Sequence, residues 1–336
     1  MFELTFLGTA ATTPSAKRGL PALLVSAGSD RFLVDCGEGT QRQLHHAGTG
    51  FRRLQHVLLT HAHLDHVLGL AGLIASLALF DLREPLTICG SGQTIALVDR
   101  YLSGLWPQRQ APLPLSLVAL SPGPVLTGRG YTIHCFPVRH RGTESLGYRF
   151  ETPPRRHMDA ARLKALAVPS GPLRARLAAG ESVKLPDGRS IEPEMVLGEA
   201  IPGTSLAVVG DAEEVETLVP AVTGADALVI EATFLEADAA LAAERAHLTA
   251  AQAGKLAAAA GVGALYLTHI SGRYDPADIA AEAARFFPSA RVMNDFDHIP
   301  LTAAREAARG RLKGCHEQVG NAVSPPLQRR GADQQV

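Results

Sequence analysis

The hydrophobic residues of this chain form short apolar runs, separated by polar turns and by longer segments with helical spacing. Runs of about four to eight apolar residues predict buried strands, and longer segments with helical spacing predict helices. Strands and helices alternate along most of the chain, which predicts an α/β fold with two strand-rich halves and helices on the outer faces. The predicted strands are 3–7, 22–26, 31–35, 56–60, 86–89, 115–120, 131–138, 146–151, 205–209, 227–230, 264–267 and 291–293, and the main predicted helices are 39–47, 67–79, 93–102 and 250–260.

Two segments interrupt this alternation. Residues 153–193 are rich in Pro and Gly and carry eight Lys or Arg against four Asp or Glu. They predict a protruding arm, with 153–200 inserted into a single domain that spans 1–310. The tail 314–336 has few apolar residues and is predicted to be flexible.

Composition narrows the class of protein only slightly. The 336 residues are 46% hydrophobic and 19% charged, an ordinary globular balance, and the net charge of −1 argues against an overall basic coat for nucleic acid. No apolar run has the length of a membrane span, and residues 2–7 predict a strand and not a signal peptide. The four cysteines are far apart, and Cys36, Cys89 and Cys135 lie in or beside strand-like runs. Buried, unpaired thiols and a cytoplasmic location are therefore expected.

The strongest chemical signal follows the predicted strand 56–60. His61-Ala62-His63-Leu64-Asp65-His66 places three histidines and a carboxylate between a strand and a helix. Imidazole is the commonest ligand of zinc-like metals, and the added carboxylate suits a hydrolytic two-metal site better than a structural zinc. The alternative is a polar loop with histidines there by chance. The spacing favours a metal site.

One loop cannot complete two metal sites, so ligands are expected at other strand ends. His140, Asp211 and His269 each follow an apolar run, at the position where α/β folds collect their chemistry. Taken singly, an aspartate after glycine is often a turn residue, and an isolated histidine is more often an ordinary core or surface group. Taken with the first loop, the three complete two ligand sets.

The loop 61–66 matches the HxHxDH signature of the metallo-β-lactamase superfamily, and five further segments resemble the ribonuclease Z family of tRNA 3′-end processing endonucleases. The resemblance runs from about residue 2 to the 294–301 region. It implies a four-layer αββα metallo-β-lactamase sandwich with a protruding flexible arm. The segments are Phe6–Thr9, Pro14–Gly19, Asp35–Gln43, Glu231–Phe234 and Leu267–Tyr274.

The resemblance also implies two Zn²⁺ ions per subunit, although such a ligand set also accepts Mn²⁺, Fe²⁺ or Co²⁺. Asp211 is expected to bridge the two ions. The implied ligands are His61, His63 and His140 for one ion, and Asp65, His66 and His269 for the other.

Four roles in catalysis are implied by the same family. Asp65 is expected to accept the proton of the attacking water, and His247 to assist the leaving ribose 3′-oxygen. Glu231 would orient His247 or the substrate. Asp35 would orient a ligand imidazole, or else be a plain turn residue at a strand end. The alternative for His247 is a residue at a helix N-terminus, beside a capping Thr249.

Two segments are expected to contact RNA. In the family, the loop that corresponds to Pro14–Gly19 reads the acceptor end, and Lys17 and Arg18 are present here. The arm carries the family's Gly-Pro core as Gly171-Pro172, followed by Arg174 and Arg176, with Lys184 and Arg189 as further cations. The alternative is a solvated basic surface loop. The resemblance implies precursor tRNA as the partner, and a homodimer.

One departure leaves the substrate open. The family usually continues after the bridging aspartate with Thr-Arg-Pro, but this chain has Ala212-Glu213-Glu214. Carboxylates near a bound phosphate weaken binding unless they point away. The expected activity is a zinc-dependent endoribonuclease that removes 3′ trailers from precursor tRNA, leaving a tRNA 3′-hydroxyl and a 5′-phosphate on the trailer. The alternative is a small-molecule hydrolase of a phosphodiester, lactone or thioester on the same fold. A non-catalytic RNA-binding relative is disfavoured because all seven ligands are present.

Overall fold

Fourteen of the eighteen strands in the described part of the chain assemble into two seven-stranded sheets, and the other four pair in two small two-stranded sheets. In a computed structural model, the protein is described over residues 2–79, 85–106 and 110–301. The tail 314–336, the end of the predicted domain 1–310 and Cys315 lie outside the described residues. The first sheet has the order β18-β1-β2-β3-β4-β5-β6, with β1 Phe2–Gly8, β2 Ala22–Ala27, β3 Asp30–Val34, β4 Leu54–Leu58, β5 Leu86–Gly90, β6 Leu115–Ala119 and β18 His298–Pro300.

The second sheet contains the later strands of the chain, and most of its core strands point the same way. Its order is β17-β16-β15-β14-β9-β8-β7. Strands β14, β15 and β16 are parallel to one another, and β8 has the same direction because both it and β14 pair antiparallel with β9. The bounds are β7 Gly123–Gly128, β8 Tyr131–His140, β9 Thr143–Glu151, β14 Ser205–Val208, β15 Ala227–Glu231, β16 Leu265–Thr268 and β17 Arg291–Val292.

Side chains alternate between two faces along each strand, and on central strands of the two large sheets both faces are buried. On β3, Phe32 and Val34 point into the core between the sheets, and Leu33 packs under the helices of the first sheet. On β15, Val229 and Leu228 divide in the same way between the central core and the helices of the second sheet. The predicted four-layer αββα sandwich is thereby confirmed. The flanking helices are α1 Thr40–His46, α2 Leu64–Val67, α3 Leu70–Leu79 and α4 Gly92–Leu105 on the first sheet, and α8 Val219–Val222, α9 Ala239–Arg245, α10 Ala250–Ala259 and α11 Pro276–Ala284 on the second.

The predicted arm is an insertion between β9 and β14 with its own small core. Its two ends meet, because the Thr152 N–H donates to the Thr204 carbonyl (2.9 Å) and the Thr204 N–H donates to Thr152 Oγ1 (2.7 Å). Seven buried apolar side chains, Leu177 among them, form a cluster separate from the cores of the two sheets. The arm contains β10 Arg155–Met158, α5 Ala160–Ala165, α6 Pro172–Ala178, β11 Val183–Lys184, β12 Ser190–Ile191, α7 Pro193–Val196 and β13 Leu197–Ile201.

Some predicted boundaries differ from the structure for local reasons. The predicted helix 67–79 is two helices, α2 and α3, and the break at Gly69 lets its backbone pack against Gly37: a Cβ on Gly69 would lie 2.0 Å from the Gly37 carbonyl oxygen. Strand β4 ends two residues earlier than predicted, which frees Thr60 to turn toward the site. The sequence pattern missed β7 and β18, a Gly- and Pro-containing strand and a three-residue edge strand.

Within the described ranges, none of the helices has both the length and the apolar character to cross a membrane.

Candidate metal centre

The seven predicted ligands meet at the carboxyl edge of the two sheets. His61 and His63 lie in the loop that follows β4, and Asp65 and His66 lie in the short helix α2. The other three come from the second sheet, where like-directed strands end at one edge. His140 is the last residue of β8, His269 comes directly after β16, and Asp211 lies three residues beyond the end of β14.

Asp211 lies between two groups of possible ligands, with one oxygen facing each. Its Oδ2 is 3.6 Å from His61 Nε2 and 3.8 Å from His140 Nε2. Its Oδ1 is 3.6 Å from His66 Nε2 and 3.3 Å from His269 Nε2. The first group also contains His63, and the second is completed by Asp65, whose Oδ2 is 3.5 Å from His269 Nε2.

These separations fit metal coordination better than direct pairing. Two ligands bound at about 2.0–2.2 Å to one tetrahedral ion lie about 3.3–3.6 Å apart. Among the described residues, six buried side-chain N or O atoms have no hydrogen-bond partner, and four of them point into this cluster. Unpartnered buried polar atoms are costly, so four in one place indicate a ligand that satisfies them together. They are His61 Nε2, His66 Nε2, Asp211 Oδ1 and His269 Nε2.

The protonation states also suit a cation. Burial lowers the pKa of His61, His63 and His140, which keeps these imidazoles neutral. Burial opposes ionisation of Asp211, but the surrounding imidazoles, His269 first, hold the pKa of that carboxyl well below its usual range. Burial lowers the pKa of His66, but Asp35 and Asp211 outweigh it and raise that pKa well above its usual range, so a metal would have to displace the His66 proton. Three neutral imidazoles beside an ionised carboxylate are donors that zinc-like metals take.

A second ring of hydrogen bonds fixes the orientation of the histidines. The His66 Nδ1–H donates to Asp35 Oδ2 (2.8 Å), and the His140 Nδ1–H donates to the Ala246 carbonyl (2.8 Å). Each bond turns the opposite nitrogen, Nε2, toward the cluster. Asp35 therefore lies against a ligand imidazole, in line with the orienting role expected of it. It also accepts from the Thr60 N–H at 2.8 Å.

Two threonines of this outer ring were not predicted from the sequence. Thr60 Oγ1 lies 3.0 Å from His61 Nδ1, and Thr233 Oγ1 lies 2.9 Å from His269 Nδ1. Their signal was position alone, since Thr60 directly precedes a ligand and Thr233 comes two residues after Glu231. Thr233 also donates to the Glu231 carboxylate, so it links this ring to Glu231 and its partner His247.

His247 and Glu231 form a hydrogen-bonded pair beside the metal-ligand cluster. His247 Nδ1 is 3.1 Å from both carboxylate oxygens of Glu231, which is completely buried. Burial lowers the pKa of His247, but the Glu231 carboxylate and other acids outweigh it and raise the pKa to about 9. Thr249 caps α10 through a capping box with Gln252, and His247 lies two residues before that cap. His247 also lies within ligand distance of Asp211 and His269, but its Nδ1–H is used by the carboxylate.

Lys17 and Arg18, the two predicted RNA contacts near the site, differ in how exposed they are and in what they bond to. Lys17 is exposed. Arg18 is half-buried, and its guanidinium donates to three groups of the fold: Thr9 Oγ1 (2.6 Å), the Met293 carbonyl (2.5 Å) and Asn294 Oδ1 (2.9 Å). These bonds hold the guanidinium within the protein, so a structural role competes with the predicted RNA contact.

The predicted RNA-contacting residues of the arm belong to neither group of possible metal ligands. Gly171 has a φ of 112°, which favours glycine, and Pro172 occupies the first turn of α6. Arg174 donates twice to the Val168 carbonyl, from Nε (3.2 Å) and Nη2 (2.7 Å), which closes the turn before α6. Two other basic side chains form surface pairs, Arg176 with Glu181 and Arg189 with Asp187.

Two sheets between helical layers, with a cluster of histidine and aspartate at their carboxyl edge, define a protein of the metallo-β-lactamase fold. The metallo-β-lactamase fold protein YhfI from Bacillus subtilis is similar, with a TM-score of 0.64 and 18% identity over 89% of this chain and 98% of that one. The short form of human tRNase Z has a TM-score of 0.61 and 22% identity over 89% and 99%. At such identities the likeness shows the fold alone.

The sequence comparison goes further. The ribonuclease Z of Bradyrhizobium diazoefficiens is 56% identical over 299 residues, which are 89% of this chain and 99% of that protein. The chain belongs to the ribonuclease Z family, which confirms the resemblance found in its motifs, and it is a metal-dependent hydrolase of the endoribonuclease class. A family model described as anti-Pycsar protein Apyc1 also matches residues 2–149, a range that includes the HxHxDH loop.

Proposed function

We propose that this chain cuts precursor tRNA at the 3′ end of the mature sequence, leaving a 3′-hydroxyl on the tRNA and a 5′-phosphate on the trailer. The family supports the reaction class. The observation that carries the proposal is Asp211 between two ligand groups, with His247 held beside them by Glu231.

Each ligand group would hold one divalent ion, zinc being the expected metal because imidazole nitrogens dominate the set. The first group is His61, His63, His140 and Asp211, and the second is Asp65, His66 and His269. Asp211 Oδ1 faces this second group and would complete it. Bound in this way, two ions supply an acidified water and electrostatic stabilisation of the phosphodiester oxygens.

The side chains would divide the proton transfers between them. Asp65 accepts the proton of the attacking water. Burial raises the pKa of its carboxyl, but the hydrogen bond to His269 and the charge of His66 outweigh burial and lower the pKa, so the carboxyl is ionised. His247 donates a proton to the ribose 3′-oxygen as the bond to phosphorus breaks. Glu231 holds the His247 ring through Nδ1 and so directs the other nitrogen outward.

Substrate RNA would be bound at a distance from the chemistry as well as beside it. The exposed Lys17 is suited to a phosphate contact near the centre, and the basic arm to contacts further along the RNA.

We also propose that the enzyme works as a homodimer in the cytoplasm, where precursor tRNA is present. The three buried free thiols Cys36, Cys89 and Cys135 are compatible with a reducing compartment.

The test is cleavage of a 3′-extended precursor tRNA by zinc-loaded protein, with the cut mapped to the nucleotide. We expect one cut directly after the discriminator base and, for Asp65→Ala, a loss of at least about 100-fold, because both a ligand and the proton acceptor are removed. Bis(p-nitrophenyl) phosphate serves as the comparison substrate. Intact RNA together with rapid hydrolysis of this small diester or of a lactone would replace the tRNA assignment with the small-molecule alternative.

A further inference from the structure

The three residues after Asp211 face inward or toward the neighbouring β8–β9 turn. Ala212 is buried, and its N–H donates to Glu231 Oε1 at 2.7 Å. The Glu213 N–H donates to the Arg139 carbonyl at 2.9 Å, and Glu213 Oε2 accepts from the Arg141 N–H at 2.8 Å. Residue 213 is therefore bonded to the residue on each side of His140.

The turn that carries His140 needs such support. His140 pairs with Thr143, so Arg141 and Gly142 form a two-residue turn, and both have positive φ, 48° and 66°. This conformation matches the twist of a hairpin, but it is unfavourable for a residue with a side chain. An ionised carboxylate on the Arg141 N–H is a strong acceptor that holds the backbone in this conformation.

Glu214 contributes differently from Glu213. Its Oε2 pairs with Arg139 Nη1 at 3.2 Å, and the Arg139 side chain is 67% exposed. An exposed pair between two side chains adds little to stability. Glu213 bonds to the backbone of the hairpin, and so its position is tied to that of the chain around His140.

We infer that Glu213 is a positioning residue of the metal centre: it fastens the His140 turn to the segment that carries Asp211. His140 Nε2 and Asp211 Oδ2 lie 3.8 Å apart in the same ligand group. They come from separate elements, and Glu213 bonds one to the other at two points. The carboxylates of 213 and 214 are thus directed to the protein, which removes the main support for the small-molecule alternative. The inference rests on the metal centre of the proposed function.

The experiment compares Glu213→Ala, Glu213→Gln and Glu216→Ala with the wild type as zinc-loaded enzymes. Zinc transfer to a chromogenic chelator is measured first, then kcat and KM on precursor tRNA. Glu213→Ala should hold zinc about tenfold more weakly and lower kcat by a similar factor, with KM nearly unchanged, because outer partners of ligands have effects of about 10- to 100-fold. Glu213→Gln should restore most of both, since its amide oxygen can still accept from the Arg141 N–H.

Glu216→Ala is the matched control, because it removes a charge from the same exposed loop, where the bond of the Glu216 carboxylate within the described residues is to its neighbour Val215. It should behave as the wild type. If both Glu213 variants instead lower KM and leave zinc retention unchanged, the carboxylate repels the substrate and the positioning role is wrong. Equal zinc retention in Glu213→Ala and the wild type would also overturn it. Failure of the proposed function looks different: the wild type would hold zinc but leave the RNA intact.

Discussion

At the scale of single residues, the centre depends on which ring nitrogen each histidine presents. His66, His140 and His269 each use Nδ1 for a protein partner, and each has Nε2 in the cluster. His247 also uses Nδ1 for a partner, the buried carboxylate of Glu231, and a carboxylate stabilises the protonated form of an imidazole. His66 has the same kind of partner in Asp35, but its Nε2 is buried among the other ligands, where a metal would displace the proton. His247 is partly exposed, so its proton can be used in catalysis.

We therefore predict that His247→Gln separates chemistry from metal binding. The variant should keep its zinc and its KM for precursor tRNA, and its single-turnover cleavage rate should fall about 10²- to 10⁴-fold, the range of general acid catalysis. The single-turnover cleavage rate of Glu231→Gln should fall less, because His247 remains. His247→Asn is a second test of the same ring. Loss of zinc from both His247 variants would make His247 a ligand, together with Asp211 and His269.

The sequence was sufficient to find most of these residues, because their signal is local. The ligands either share one short motif or stand alone after an apolar run. Their partners could not be found in this way. The Arg18 guanidinium meets Asn294 and the Met293 carbonyl more than 270 positions away, and the bond from Glu213 to Arg141 spans 72 positions. A charge pattern gives the presence of a cation or a carboxylate but not the group that it faces.

At the scale of elements, the loop Pro14–Gly19 is fastened at both ends. Three residues before its start, the Ala11 N–H donates to the carbonyl of Ile270, the residue after His269, at 3.0 Å. At its end, the Gly19 N–H donates to Asp295 Oδ2 at 2.6 Å. Asp295 lies between β17 and β18, so the C-terminal part of the fold holds this loop beside the metal centre.

Asp295 accepts from two further side chains, Thr9 Oγ1 (2.7 Å) and Gln43 Nε2 (2.7 Å). We predict that Asp295→Asn loosens the loop without disturbing the ligands, because an amide cannot accept all three bonds. Trypsin should cut after Lys17 or Arg18 at least about fivefold faster, since cleavage requires local opening. KM for precursor tRNA should rise, and hydrolysis of bis(p-nitrophenyl) phosphate should change little. Asp278→Asn, at the exposed start of α11, is the matched control.

Unchanged trypsin cleavage in Asp295→Asn would show that the Arg18 and Ala11 bonds suffice to hold the loop. A parallel fall in both activities would instead indicate damage to the centre. The pattern of apolar runs could predict the strands around this loop, because two-sided burial leaves a continuous hydrophobic signal. It could not predict the short edge strand β18, whose pairing with β1 depends on contacts from the other end of the chain.

At the scale of the whole molecule, the arm is separable from the catalytic sandwich. The segment leaves and returns where Thr152 and Thr204 bond to each other, and its apolar cluster is distinct from the three cores of the sandwich. Its basic side chains are of two kinds. Arg174 closes a turn of the arm's backbone, whereas Arg176 forms a surface pair that RNA phosphates can replace.

We therefore predict that replacing 154–202 by a short Gly-Ser link leaves the chemistry intact and weakens RNA binding. Hydrolysis of bis(p-nitrophenyl) phosphate should stay within about twofold of the wild type, because no metal ligand or outer partner lies in the arm. Cleavage of precursor tRNA should fall about 100-fold through KM, and its dependence on salt should weaken as phosphate contacts are lost. Arg176→Ala combined with Lys184→Ala should reproduce part of this effect in a folded arm. Normal tRNA cleavage at physiological salt by the shortened protein would mean that the sandwich alone, with the Lys17 loop, recognises the substrate.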